Sequence, residues 1–157
     1  MIMKKILTYS LVVLVAASLA SCKVEDPFVD RVVAPVLVDI VGASFGAPLS
    51  AEPTVTYPAT GKVTLTARLL ELDKTNILDY TKGIDSIPVA NIPIKITLRT
   101  GASLGEVTSN AQGVVSLEKT WAELGLPNPV SKSVVKISWS GTHKGIAFTR
   151  FSQVAVK

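Results

Sequence analysis

The stretch NIPIKITLRTGASLGEVTSNAQGVVSLEKT, residues 91–120, decides how this chain folds. Ile92, Ile94, Ile96 and Leu98 alternate with Pro93, Lys95, Thr97 and Arg99, so an extended strand here has one dry and one wet face. Thr100-Gly101 punctuates the pattern, and Asn110-Ala111-Gln112-Gly113 does so again before Val114. Asn110 can hydrogen-bond the backbone two residues on and Gly113 can take a positive φ, so the chain reverses tightly between two strands. The motif reads as a folding feature and not as a site.

The same period of two extends outward. Val63, Leu65, Ala67 and Leu69 alternate with Thr64, Thr66 and Arg68, and Val135, Ile137 and Trp139 with Lys136 and Ser138. The last strand alternates less cleanly through Ile146, Phe148, Val154 and Val156. Strands are expected near 36–41, 54–57, 62–72, 92–99, 105–109, 113–119, 133–140 and 145–156. Pro58–Gly61 and Ser140–Gly145 supply further turns. Seven to eight strands at this spacing predict an all-β antiparallel sandwich over residues 36–157. Thr120-Trp121-Ala122-Glu123 is a capping box for one short helical turn, which Gly125 can end and Pro127 and Pro129 keep from continuing.

Val107-Thr108-Ser109-Asn110-Ala111-Gln112-Gly113-Val114-Val115 resembles the second half of the motif carried by bacterial Ig-like domains of the invasin/intimin type. Asn110 stands where that family usually has Asp, and Asn91 replaces a usual glycine before the central strand. The resemblance implies an Ig-like β-sandwich. A transthyretin-like fold, as in carboxypeptidase regulatory domains, shares the same hairpin and is the rival topology.

The chain opens differently. Lys4 and Lys5 precede a mostly apolar run from Ile6 to Ala20, broken by Thr8, Tyr9, Ser10 and Ser18. That run is short for a spanning helix, which needs ~20 residues. A positive start, a short apolar core and the small residues Ala20-Ser21 describe a cleaved signal peptide over residues 1–21. Leu19-Ala20-Ser21-Cys22 then resembles the lipobox of bacterial lipoproteins. The resemblance implies that Cys22, the only cysteine, is acylated and becomes the new amino terminus, with no cofactor beyond that covalent lipid. Each buried methylene contributes ~0.8 kcal/mol, and two or more chains hold where one is marginal. Residues 22–35 read as a lipidated tether, kept from helix by Pro27 and Pro35. No aspartate follows Cys22 directly, so the inner-membrane retention signal of some Gram-negative lipoproteins is absent. Lys23-Val24-Glu25-Asp26 resembles the export tag of surface lipoproteins, with Val24 interrupting it. The expected location is the outer membrane, facing the exterior.

Removing residues 1–21 from 157 leaves 136, enough for one domain. The net charge of +4 includes Lys4 and Lys5; without them fourteen basic residues face twelve acidic ones. No basic cluster concentrates the remainder, so nucleic acid is not an expected partner.

Catalytic equipment is sparse. The single histidine, His143, lies in the Ser140–Gly145 turn and reads as a surface residue, despite Ser140 and Thr142 nearby. One histidine and no free cysteine cannot build a zinc site. Asp73, Asn76, Asp79 and Asp85 share one long stretch, but their spacing matches no calcium loop and they read as a solvated acidic turn. Glu71 and Asp73 lie on one strand face, as glycosidase carboxylates could, and read instead as an exposed edge. Gly101 and Gly105 introduce no helix and make no phosphate cradle. Trp139 is in phase with the core, and Trp121 is expected to cap one sandwich end; Tyr57 and Tyr80 are the other aromatic candidates.

The long stretch from Asp73 to Pro88 exceeds an ordinary hairpin connection. With Tyr80 beside Ile77 and Leu78, it is the expected contact, through Asp73, Asn76, Asp79, Tyr80 and Asp85. The sequence therefore predicts a non-enzymatic, membrane-anchored binding or adhesion module. Its partners are the bilayer, through the acyl anchor, and a protein or glycan. Two alternatives are a structural subunit of an envelope or fimbrial assembly, donating an edge strand such as 36–41, and a glycan-binding accessory to nutrient uptake.

Overall fold

The structure, a computed structural model, describes residues 34–43 and 51–157. Cys22, the signal segment and most of the tether lie outside them. Nine strands form: β1 (Leu37–Ile40), β2 (Thr54–Tyr57), β3 (Lys62–Asp73), β4 (Asp85–Pro88), β5 (Pro93–Leu98), β6 (Ser103–Thr108), β7 (Val114–Thr120), β8 (Val134–His143) and β9 (Ile146–Val156). They make two sheets packed as a β-sandwich, one holding β1, β3, β4 and β7, the other ordered β2-β9-β8-β5-β6.

β3 organises the first sheet. Leu70 pairs with Leu37 of β1 and also with Pro88 of β4, while Arg68 pairs with Asp39 of β1 and Val114 of β7. β1 therefore occupies one edge of β3, and β7 and β4 lie end to end along the other. All of these pairs are antiparallel. In the second sheet the β2–β9 pair is parallel, so the sandwich is mostly, not wholly, antiparallel.

The alternation in the sequence becomes burial. Val63, Leu65, Ala67 and Leu69 of β3 meet Ile94 and Ile96 of β5, Ile137 and Trp139 of β8, and Val154 and Val156 of β9 in one core. Each buried Val, Leu or Ile among them contributes about 1.5–3 kcal/mol on leaving water. Trp139 Nε1 donates to Ser152 Oγ at 2.8 Å, so the largest core side chain keeps its polar atom satisfied. Trp121 closes one end as expected, its Nε1 donating to the Pro58 carbonyl at 3.0 Å. Tyr57 of β2 donates its hydroxyl to the Thr64 carbonyl of β3, joining the two sheets, and burial pushes that phenol's pKa up.

The Asn110–Gly113 turn forms as the sequence implied. Asn110 Oδ1 accepts from Gln112 N at 3.0 Å and Val114 N at 2.9 Å, and Gly113 has φ of 71°. A Cβ on Gly113 would lie 2.5 Å from the Leu69 carbonyl oxygen, so the turn is also wedged against the sheet. Asn91 takes the left-handed conformation at φ 59°, doing what a glycine would do there. Ser109, buried, accepts from Ile92 N and donates to the Val89 carbonyl, both at 2.9 Å, tying the start of β5 to the end of β6.

Three expectations change in detail. β4 is a ninth strand inside a stretch read as loop, because Asp85-Ser86-Ile87-Pro88 buries nothing and has no alternation to betray it. β8 runs on through His143, and the turn shrinks to Lys144-Gly145 at φ 50° and 77°, the two-positive-φ geometry suited to a two-residue hairpin. Gly141 is thus a strand residue; a Cβ there would sit 2.7 Å from Ile94 Cδ1 and 2.9 Å from Phe148 Cζ. β6 begins at Ser103, two residues early, with a register shift between Ile96 and Thr97.

Candidate functional site

The predicted contact stretch folds as a hairpin. Asp73 ends β3 and lies directly across from Asp85, which begins β4, so these two predicted residues sit in strands and not in a loop. Asn76, Asp79 and Tyr80 occupy the connection between them. It is built from successive tight turns: Ile77 N donates to the Lys74 carbonyl at 3.0 Å, Asp79 N to Asn76 at 2.8 Å, and Gly83 N to Asp79 at 2.9 Å.

The acids hold this shape. Asp73 Oδ1 accepts from Thr75 N at 2.9 Å and Thr75 Oγ1 at 2.5 Å; Asp79 Oδ1 accepts from Thr81 N at 3.0 Å and Thr81 Oγ1 at 2.6 Å. Those bonds lower both carboxyl pKa values, so both stay ionised. A carboxylate engaged with its own turn has fewer lone pairs for an outside cation. Among the described residues no group of three His, Cys, Asp or Glu is placed to hold a metal.

What the hairpin presents outward is apolar. Leu78 is 98% exposed and Tyr80 96%, with Ile77, Ile84 and Ile87 also exposed around them. The sequence marked Tyr80 beside Ile77 and Leu78. It did not mark Ile84 and Ile87, because they straddle the start of the unrecognised strand β4.

A second feature lies at the same end of the sandwich. A cleft of about 600 Å³ opens between the sheets, lined by Val36, Val38, Leu72 and Phe148, with Glu71 and Arg150 among its polar members. Arg150 pairs with Trp139 and shares its face, so the sheet turns an arginine inward where the other sheet no longer covers it. Glu71 spans the two sheets: it accepts from Lys144 Nζ at 2.5 Å and lies 3.3 Å from His143 Nε2. Lys144 first, and His143 second, hold the Glu71 carboxyl below its usual range. His143 is thus a half-buried partner of a carboxylate and not a free turn residue. The interruption of the apolar alternation by Glu71 and Arg150 is the one sequence signal for this cleft. Ser140 Oγ bonds the Lys95 carbonyl at 3.4 Å instead of meeting the imidazole.

The remaining aromatic candidates are placed. Trp121 and Trp139 are buried. On the outer face of the second sheet the Arg99 guanidinium stacks 3.6 Å from the Phe151 ring centre and pairs with Glu52 at 3.0 Å.

No protein-family model matches the chain, and no curated protein matches it.

Proposed function

We propose that the protein is an outer-membrane lipoprotein, anchored through acylated Cys22 and facing the exterior, whose head is a non-catalytic binding module with the β3–β4 hairpin as its contact element. The observation that carries this is the exposure of Leu78 and Tyr80 on a hairpin whose Asp73 and Asp79 carboxylates bond its own turns. A large apolar side chain held in water by a preorganised turn loses little further entropy on docking. The lipobox and the apolar leader supply the anchor in this reading. The division of the first strands between the sheets, β1 against β3 and β2 parallel to β9, supports an Ig-like arrangement of the sandwich.

The assembly-subunit alternative fares less well. Val36, Val38 and Ile40 are buried in their own domain, and β1 is paired with β3, so donating this strand would open the core. For a glycan-binding head, stacking platforms are few: both tryptophans are buried, and Arg99 already covers one face of Phe151.

The contact reading is tested by thiol accessibility. The mature chain has no other free thiol if Cys22 is acylated, so Leu78→Cys and Thr60→Cys each carry one reporter. In intact envelopes a water-soluble maleimide is expected to react slowly at position 78 and fast at position 60, with both fast after detergent extraction. Equal, rapid reaction at both sites in the envelope would remove the hairpin as a contact element.

A further inference from the structure

We infer that the surface met by the β3–β4 hairpin is the bilayer itself, with Leu78 and Tyr80 seated in its interfacial region. This rests on the lipoprotein reading and names the partner of the same contact element.

Topology puts the hairpin where a membrane would be. β1 runs antiparallel to β3 with Leu37 opposite Leu70, so the chain reaches the sandwich at the end toward which β3 runs. Ala34, Pro35 and Val36 line one cleft with Glu71, Leu72 and Lys74, and the hairpin continues beyond them. Trp121 and the Pro58 carbonyl close the opposite end. Eleven residues separate Cys22 from Ala34, and twelve chain steps span at most about 40 Å fully extended. In this reading the tether from the lipid joins the sandwich at the hairpin end and not at the Trp121 end.

The chemistry of the tip suits an interface. Leu78 offers an aliphatic side chain, and Tyr80 an amphipathic ring of the kind that settles at headgroup level. Asp79, between them, is ionised and turned onto Thr81 and, at 3.7 Å, Lys82. A charge at that point holds the tip at headgroup depth and out of the hydrocarbon centre. Lys74, Lys82, Lys144 and Arg150 are offset here by Glu71, Asp73, Asp79 and Asp85, so docking is apolar and needs no anionic lipid. Anchoring also makes the contact intramolecular, so a weak surface affinity suffices.

The test uses the full lipidated protein in phosphatidylcholine vesicles, with an environment-sensitive fluorophore on Leu78→Cys or on Thr60→Cys. At position 78 the emission is expected to shift to the blue and to be quenched by nitroxide lipids; at position 60 it is expected to do neither. Hydrogen exchange on the unlabelled protein is expected to slow over residues 77–81 when vesicles are added. If the protein floats with vesicles while position 78 stays as wet as position 60 and those amides exchange freely, the bilayer is not the partner. Protection at position 78 in native envelopes together with that result would leave the contact element standing with a proteinaceous or glycan partner. Insertion seen only with anionic lipid would overturn the apolar mechanism.

Discussion

Leu37 stands directly across from Leu70, and that one pairing fixes the end of the sandwich at which the chain enters it. Because the two strands are antiparallel, the end where the chain joins the sandwich is also the end from which Leu78 and Tyr80 project. A parallel pairing would have put the hairpin at the end opposite the chain's entry.

Leu78 and Tyr80 at the hairpin tip are almost wholly exposed, so they contribute little to folding. Leu78→Ser combined with Tyr80→Ser is expected to leave unfolding free energy within about 0.5 kcal/mol of wild type, as for surface changes without special geometry. Denaturant titration checks this. A larger loss would mean that the tip packs against the domain.

Ser152→Ala is expected to cost about 1–3 kcal/mol, because Trp139 Nε1 is left buried without its acceptor. Trp139→Ala is expected to cost more, about 3–5 kcal/mol, through the cavity it opens. Chemical denaturation of the two variants ranks them.

Two glycines fail for different reasons. Gly113→Ala places a Cβ 2.5 Å from the Leu69 carbonyl at a positive φ, and more than about 1 kcal/mol of destabilisation is expected. Gly141→Ala drives a methyl into Ile94 and Phe148, an overpacking worth about 1–3 kcal/mol. Thermal melts should show both losses, with no rescue of Gly113→Ala by trimming neighbouring side chains, because its clash is with backbone. Trimming Ile94 to Val should recover part of the loss at Gly141.

Glu123 gives an acid-side signature. Its carboxylate accepts from Thr120 N and Thr120 Oγ1, both at 2.8 Å, which lowers its pKa from 4.5 to about 2. A depressed folded-state pKa stabilises the fold above the unfolded value and is lost as pH falls through the folded one. The stability difference between wild type and Glu123→Ala is therefore expected to hold above pH 4.5 and to shrink toward about pH 2. A difference that grows on acidification would contradict the capping geometry.

The strands that were legible in the sequence are those with one buried face. β3 and β5 spell out their alternation, and the Asn110–Gly113 turn announces itself through side-chain chemistry that acts over four residues. β4 was hidden because it is held by backbone pairing to β3 alone, and an edge with no buried side chain leaves no pattern. Gly141 was read as a turn residue because a glycine excluded by Ile94 and Phe148 looks, in sequence, like one needed for positive φ. In the stretch from Asp73 to Pro88, Tyr80 stands out, while Asp73 and Asp85 join it only by sharing one stretch of sequence, although they face each other across two strands. The inter-sheet cleft depends on where the sheets stop covering each other, which leaves only Glu71 and Arg150, charged residues in apolar phase, as its trace.

The most direct measurement is the mass of the mature amino-terminal peptide from protein extracted out of membranes. The account requires a chain that starts at Cys22 and bears acyl groups on it. A water-soluble chain, starting elsewhere and carrying no fatty acid, would leave the hairpin with no membrane to meet.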